Sequence, residues 1–215
     1  MKITMDERLR EIRCYDFSKE NREYAPHLAE DNSRIVEGYA IVFNQPSRKL
    51  FDKATKKVFT ETIDPRAVTK LFLDDQDIKM VFNHSTDMLL ARSTYGIGTL
   101  SYEIDDYGVR YRFEMPNTTT GNDLLEMIRR GDVFGCSFAF TYAKDGIRDE
   151  KRNGQNFRTV IQMASISDFS IVVDPAYLGT YVSTREFIAP EEEENNMAAR
   201  LDVEWAMLEM ECENL

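Results

Sequence analysis

Apolar and polar residues alternate with a period of two through most of the middle of the chain. The clearest case is GTLSYEIDDYGVRYRFEMP, residues 98–116, where two alternating runs flank a turn-forming segment at residues 105–108. Such alternation predicts a β-hairpin. Shorter strand patterns, rich in β-branched and aromatic residues, occur at residues 34–44, 78–84, 133–140, 157–163 and 165–177. The chain is therefore predicted to be mainly β.

Two segments carry helix signals instead. TTTGNDLLEMIRRGD, residues 118–132, offers a threonine as cap and Gly131 as a stop. Its predicted apolar stripe consists of Leu124, Leu125 and Ile128. TIDPRAVTKLFLDD, residues 62–75, offers Asp64 as cap and Pro65 in the first turn, which predicts a short helix. The stripe predicted for this first helix of the chain consists of Val68, Leu71 and Phe72.

The composition divides the chain into three parts. Residues 1–34 are polar and charged with little periodicity, which predicts a flexible N-terminal arm. Residues 35–189 hold the strand and helix patterns and form the predicted domain, in which the polar stretch 144–156 is interpreted as a loop. Residues 190–215 begin with an acidic run and continue with an apolar stripe at helical spacing, which predicts an amphipathic C-terminal tail.

Charge and motif content exclude several classes of function. The formal net charge is −11, from 27 Lys and Arg against 38 Asp and Glu, so no nucleic-acid partner is expected. The sequence shows no transmembrane run and no secretory signal, which predicts a cytoplasmic protein without a membrane partner. Three widely spaced cysteines favour reduced thiols over a disulfide or zinc site. No zinc site is therefore expected.

The stretch VFGCSFAF, residues 133–140, contains a candidate nucleophile. As a strand it places Cys136 on a face with phenylalanines and Ser137 on a face of small residues. A small-residue face lets another backbone approach closely enough for a hydroxyl to reach its carbonyl. Ser137 is thus either a small residue where strands crowd or a nucleophile. Cys136 competes for that role, but burial among phenylalanines would keep its thiol neutral, which favours Ser137.

His84 and Asp168 are candidate partners for Ser137. The chain has only two histidines: His27 lies in the predicted arm, whereas His84 ends an apolar strand pattern. In SISDFSIVV, residues 165–173, alternation places Asp168 opposite an apolar face. Brought together, the three would act as nucleophile, general base and orienting acid. A satisfied surface histidine and an ordinary half-solvated strand are the alternative interpretations.

Four ordered segments resemble blocks of the tailed-phage prohead (capsid maturation) proteases. They are EGYAIVFN, NHS followed by LLARSTYGIGTL, NTTTGNDLLEMIRRGDVFGCSFAF, and ISDFSIVVDPAY, and the match runs from Ile35 to Tyr181. The family's histidine falls on His84, its serine on Ser137, and its acidic residue, often glutamate, on Asp168. The resemblance also implies an α+β fold similar to the herpesvirus assemblin fold. That fold is a closed antiparallel β-barrel with flanking helices and with the serine and histidine on barrel strands.

The same resemblance implies a serine endopeptidase acting inside the immature phage head, in the host bacterial cytoplasm. Its expected substrates are segments of the scaffold and the major capsid protein, and self-processing is expected as well. The implied mechanism uses no metal or organic cofactor, and assembly into a homo-oligomer is compatible with it. The alternatives are a proteolytically inactive internal scaffold or capsid-assembly protein of the same fold, and an unrelated small β-barrel binding module.

Overall fold

The fold is built largely from β-strands, as the alternating pattern predicts. The computed structural model describes residues 10–17, 22–29, 34–47, 49–52 and 55–173. Within these residues the strands are β1 (Glu11–Asp16), β2 (His27–Leu28), β3 (Ile35–Val42), β4 (Leu50–Asp52), β5 (Lys57–Ile63), β6 (Asp77–Phe82), β7 (Ser85–Thr94), β8 (Ile97–Gly98), β9 (Leu100–Ile104), β10 (Gly108–Glu114), β11 (Gly135–Tyr142), β12 (Ile147–Arg152), β13 (Gln155–Val160) and β14 (Met163–Val172). The α-helices are α1 (Lys70–Asp74) and α2 (Thr119–Arg130), with 3₁₀ turns at Arg22–Tyr24 and Pro65–Ala67.

The described strands form three sheets. Sheet A has six strands in the order β1-β11-β14-β6-β7-β8. Sheet B has the order β2-β3-β10-β9, and sheet C has the order β12-β13-β5-β4. Most neighbouring strands run antiparallel, but β14 pairs with β6 in parallel, and so does β13 with β5.

The predicted closed antiparallel barrel is wrong. The described chain is mostly β, but its strands lie in three open sheets, and two of the strand pairs are parallel. The expectation of a histidine on a barrel strand also fails, because His84 lies in the turn between β6 and β7. Alternation along a strand predicts which side chains share a face, whereas barrel closure depends on register and tilt between strands far apart in sequence.

One apolar cluster draws on all three sheets and on α2. Phe138 and Phe169 come from sheet A, Tyr111 from sheet B and Val160 from sheet C. Leu124 of α2 joins them, and none of the five is more than 1% exposed. Burying a side chain of this size contributes about 1.5–3 kcal/mol. Because every sheet contributes, the cluster gives sheet A a rigid support.

The second helix and the hairpin are confirmed. The side chain of Thr118 caps α2 by accepting a hydrogen bond from the amide of Gly121. Gly131 ends the helix in the left-handed region with φ 76°, a conformation that favours glycine. The predicted hairpin forms from β9 and β10, and the Asp105 side chain accepts from the amides of Tyr107 and Gly108 in its turn.

The first predicted helix is confirmed only in part. The structure divides it into the 3₁₀ turn Pro65–Ala67 and the short helix α1, which the Thr69 side chain caps. The break falls where Val68 and Thr69 have extended backbones, a conformation that suits β-branched residues. As a result Leu71 is 81% exposed, and Leu73 is the buried residue of α1.

The predicted loop at residues 144–156 is wrong, because it contains strand β12. This strand pairs antiparallel with β13 through a turn at Asn153 and Gly154. Both turn residues have positive φ, 49° and 82°, as a two-residue hairpin turn requires. The Asn-Gly dipeptide is a sequence signal for a hairpin turn. The charged and mostly exposed side chains of β12 indicated a loop instead.

The range predicted as an N-terminal arm contributes strands to two sheets. β1 pairs with β11 in sheet A, and β2 pairs with β3 in sheet B. The sequence predicts a flexible arm here because charged residues such as Glu11 and Arg13 normally indicate solvent exposure. In the structure these two residues of β1 are only 8% and 5% exposed. The predicted tail at residues 190–215 lies outside the described residues.

Candidate active site

Ser137 lies near the middle of β11, between two other strands of sheet A. On one side it faces Ser170 of β14, and on the other it faces Cys14 of β1. Its side chain is fully buried. The backbone of β1 comes close enough for Ser137 Oγ to donate a hydrogen bond to the carbonyl oxygen of Arg13 over 2.9 Å. The hydroxyl therefore reaches a backbone carbonyl, that of the neighbouring strand in the same sheet.

Cys136, the competing nucleophile, points away from this face. It is 1% exposed, and its Sγ lies 3.2 Å from the hydroxyl of Tyr111 in the core. Burial raises the pKa of the Cys136 thiol to about 12. The thiol therefore stays protonated near neutral pH and is a poor nucleophile.

His84 reaches Ser137 from the turn between β6 and β7. Its Nε2 lies 2.6 Å from Ser137 Oγ. Asn83 and His84 both have positive φ, 48° and 55°, which is uncommon outside glycine. Two bonds to β14 hold this backbone: the His84 amide donates to Ser170 Oγ over 2.9 Å, and the Asn83 amide donates to the carbonyl of Ile171 over 2.9 Å.

Asp168 holds the other nitrogen of the imidazole. Its Oδ1 lies 2.6 Å from His84 Nδ1, and its Oδ2 accepts from Ser167 Oγ over 3.0 Å and pairs with Arg10. Burial alone would raise the pKa of Asp168, but the hydrogen bond and charge of His84, with Arg10 and Ser167, lower it below its ordinary value. The carboxylate is therefore ionised at neutral pH and accepts a hydrogen bond from the Nδ1–H of His84.

The three predicted residues thus form one hydrogen-bonded chain in the structure. When His84 Nδ1–H donates its hydrogen bond to Asp168, the unprotonated Nε2 of the imidazole faces the hydroxyl of Ser137 and can accept from it. This arrangement of hydroxyl, imidazole and carboxylate can activate a serine for attack on a carbonyl carbon. Although shorter than glutamate by one methylene, Asp168 still reaches the imidazole.

The sequence model of the Caudovirus prohead serine proteases matches residues 20–194 of the chain. The chain belongs to this family. The resemblance seen in the sequence is thereby confirmed. No curated protein and no solved structure matches the chain.

Membership of the prohead serine protease family sets the general function. It supports a phage head maturation protease of the serine peptidase class, with capsid-related substrates. It also implies a location inside the phage capsid in the host. The roles of Ser137, His84 and Asp168 in this protease stay a prediction.

A cleft of about 260 Å³ lies beside the candidate triad of this prohead protease. Its walls include His84 and Asp168, and Phe140 and Val81 add apolar surface. The other lining side chains are polar or basic: Arg10, Lys79, Thr86, Thr141, Ser165 and Ser167. The cleft can accommodate a side chain of a peptide that reaches the site.

Sequence reasoning missed three residues that support the triad. Ser170 binds the backbone of His84, while Ser167 and Arg10 bind the carboxylate of Asp168. Ser170 carries a weak signal, since it shares the face of β14 with Asp168 two positions away. Arg10 carries none, because only the pairing of β1 with β11 brings it to the site.

Within the part of the chain that the structure describes, no group of three or more His, Cys, Asp and Glu residues could hold a metal ion. No helix among the described residues is long and apolar enough to cross a membrane.

Proposed function

We propose that this chain is a serine endopeptidase of phage head maturation, with Ser137 as nucleophile, His84 as general base and Asp168 as the orienting carboxylate. The observation that supports it best is the pair of close contacts made by the two imidazole nitrogens of His84, 2.6 Å to Asp168 Oδ1 and 2.6 Å to Ser137 Oγ. The family supports the reaction class, and this geometry supports the proposed assignment of residues.

In the proposed reaction, His84 Nε2 takes the hydroxyl proton as Ser137 Oγ attacks the carbonyl carbon of the scissile peptide bond. The resulting imidazolium is stabilised by the Asp168 carboxylate. His84 then gives this proton to the leaving amine, the C–N bond breaks and an acyl-enzyme remains. Water, deprotonated by His84, attacks the ester, and the serine recovers its proton as the acid product leaves.

The proposed substrates are segments of the scaffold and of the major capsid protein, since the family implies capsid-related substrates. The cleft beside His84 is lined by polar, basic and apolar side chains, a mixture that suits a side chain of a peptide substrate. Self-processing within the C-terminal tail belongs to the same proposal.

One observation favours a second candidate, a proteolytically inactive internal scaffold protein of the same fold. Ser137 has no exposed surface, so a substrate cannot reach it in the described conformation. An inactive relative has no need for an accessible nucleophile. An intact hydrogen-bond chain argues for the enzyme, because a scaffold role gives no reason to keep all three residues in place.

The test is to incubate the full chain with the scaffold and major capsid protein of the same phage and to sequence the fragments. The wild type should cleave both, and Ser137→Ala should not, because removing one hydroxyl removes the nucleophile but leaves little cavity. Cys136→Ala is the matched control on the opposite face of β11 and should retain cleavage. Equal cleavage by Ser137→Ala and the wild type would refute the assignment. Absence of cleavage by all forms would favour the inactive scaffold only if Ser137 also fails to react with an alkyl fluorophosphonate.

Self-processing has a separate readout. The intact mass of the wild type and of Ser137→Ala is compared after storage. Loss of a C-terminal fragment only from the wild type is the expected result. Full-length mass in both would remove self-processing from the proposal.

A further inference from the structure

Strand β1 closes over the hydroxyl that the proposed mechanism uses. Cys14 Sγ donates to Ser137 Oγ over 3.2 Å, and the carbonyl oxygen of Arg13 lies 2.9 Å from the same atom. Ser137 is 0% exposed, whereas the side chain of His84 is 13% exposed. A carbonyl carbon from another chain cannot reach Oγ while β1 is in this position.

The carbonyl of Arg13 also competes for the hydroxyl proton. Ser137 has a single O–H hydrogen, and two acceptors lie within reach: Arg13 O at 2.9 Å and His84 Nε2 at 2.6 Å. A hydrogen donated to Arg13 is not directed at the base. β1 therefore weakens the pairing of nucleophile and base as well as covering the nucleophile.

The position of β1 in sheet A is the one that an extended substrate needs. One edge of β11 is occupied by β14, so a peptide that pairs with the strand of Ser137 must use the other edge. β1 occupies that edge, and Cys14 lies directly opposite Ser137. An internal segment thus fills the strand position beside the nucleophile.

Charged contacts attach the β1 segment to both sides of the site. The Arg13 guanidinium binds Glu61 of β5, with 2.5 Å between Nε and Oε1, and donates to the hydroxyl of Tyr142 over 2.7 Å. Arg10, just before β1, pairs with Asp168. The segment that covers the nucleophile therefore also binds the carboxylate of the triad.

We propose that β1 is an internal mask that keeps the protease latent, and that its displacement from β11 exposes Ser137 and opens the strand edge to substrate. This inference rests on the proposed function and adds the regulation of the same site.

A disulfide can lock the mask on the face away from Ser137. Tyr15 of β1 lies directly opposite Cys136 of β11. Opposed residues of antiparallel strands have Cα atoms about 4.5–5.5 Å apart, which lies within the range that a disulfide bridges. The variant is the full chain with Tyr15→Cys, together with Cys14→Ser and Cys212→Ser, so that only the introduced thiol and that of Cys136 remain.

The readout is the rate at which an alkyl fluorophosphonate labels Ser137, followed by mass. In this reaction Oγ bonds to phosphorus and fluoride leaves. We expect the reduced form of the Tyr15→Cys variant to be labelled at least tenfold faster than the oxidised form, and added reductant to restore the fast rate. Tyr15→Ser in the same background is the control, and its labelling should not respond to reductant.

A second arm releases the mask instead of locking it. Arg13→Met combined with Glu61→Gln and Glu11→Gln removes the buried ion pairs without leaving any of their charges buried alone. We expect this variant to be labelled faster than the wild type. Equal labelling of the oxidised and reduced Tyr15→Cys forms would overturn the mask and leave the proposed function intact. If Ser137 is labelled in none of these proteins, the proposed function fails and the mask fails with it.

Discussion

The backbone amide of His84 donates a hydrogen bond to Oγ of Ser170 over 2.9 Å. This bond connects the turn that carries the imidazole to β14, the strand that carries Asp168. Ser170 is 1% exposed, and its hydroxyl also lies 3.3 Å from the carbonyl oxygen of Val81 in β6. The Ser170 hydroxyl thereby connects β14 to β6, the strand that leads into the His84 turn. It helps to hold the left-handed backbone of that turn in place.

Ser170→Ala should lower kcat with little change in KM, because the imidazole loses a support while the cleft is kept. A reduction of roughly tenfold to a hundredfold is expected from misplacement of a reacting group. The unfolding free energy should fall by about 1–3 kcal/mol, since the partly buried His84 amide loses its partner. Ser101→Ala, which removes an exposed hydroxyl bonded to the carbonyl of Arg112, is the control and should leave kcat unchanged. An unchanged kcat in Ser170→Ala would refute the positioning role.

His84→Ala should impair cleavage of the capsid substrate as severely as Ser137→Ala, because a nucleophile and its base act as a unit. Asp168→Asn should keep a kcat/KM roughly tenfold to a hundredfold higher than that of His84→Ala, since the carboxylate only orients and stabilises the imidazole. His27→Ala, at the other histidine of the chain, should match the wild type. Full activity in His84→Ala would exclude the triad.

Asp168 should make stability depend on acid pH. The pKa of this carboxyl in the folded protein lies below its ordinary value of 3.8, so the ionised form stabilises the fold. Its contribution is fully present above the unfolded pKa, about 3.9, and is lost as the pH falls through the folded pKa. The free energy of unfolding by urea is to be compared between wild type and Asp168→Asn at pH 6 and below pH 4. The advantage of the wild type should shrink in acid, and a constant difference would contradict the prediction.

Removing one partner of the buried pair of Arg13 and Glu61 should lower the free energy of unfolding far more than removing one partner of an exposed pair. Glu61→Gln leaves the Arg13 charge with only Glu11 as a carboxylate partner in a buried setting, and a loss of about 3–5 kcal/mol in unfolding free energy is expected. Glu150→Gln, in the exposed pair with Arg152, should cost less than about 1 kcal/mol. The measurement is urea unfolding of both variants, and similar losses would indicate that Arg13 is not buried as described.

Sequence patterns predicted the elements whose determinants are local. The Thr118 cap and the Gly131 stop define α2 because both act within one turn of the helix ends. The alternation along β11 predicted that Cys136 would point into the core, and the structure confirms it. The three candidate site residues could be named because each stands at a strand or turn position that the local pattern defines.

Interactions between distant residues decided the rest. The local polarity of Glu11 and Arg13 indicates exposure, yet Glu61, 48 residues after Arg13, provides the partner that lets a charged strand be buried. The arrangement into three open sheets with two parallel pairs likewise depends on register between strands far apart in the chain.

The same division applies to the site. The sequence by itself determined the reaction class, through the ordered family blocks, and the three residues that could serve it. Only the tertiary structure decided that His84 reaches both Ser137 and Asp168 from a turn rather than a strand. The tertiary structure alone also decided that β1 covers Ser137. Strand pairing is set by hydrogen bonds and packing between segments more than 120 residues apart, as with Ser137 and Arg13, and no local pattern carries that information.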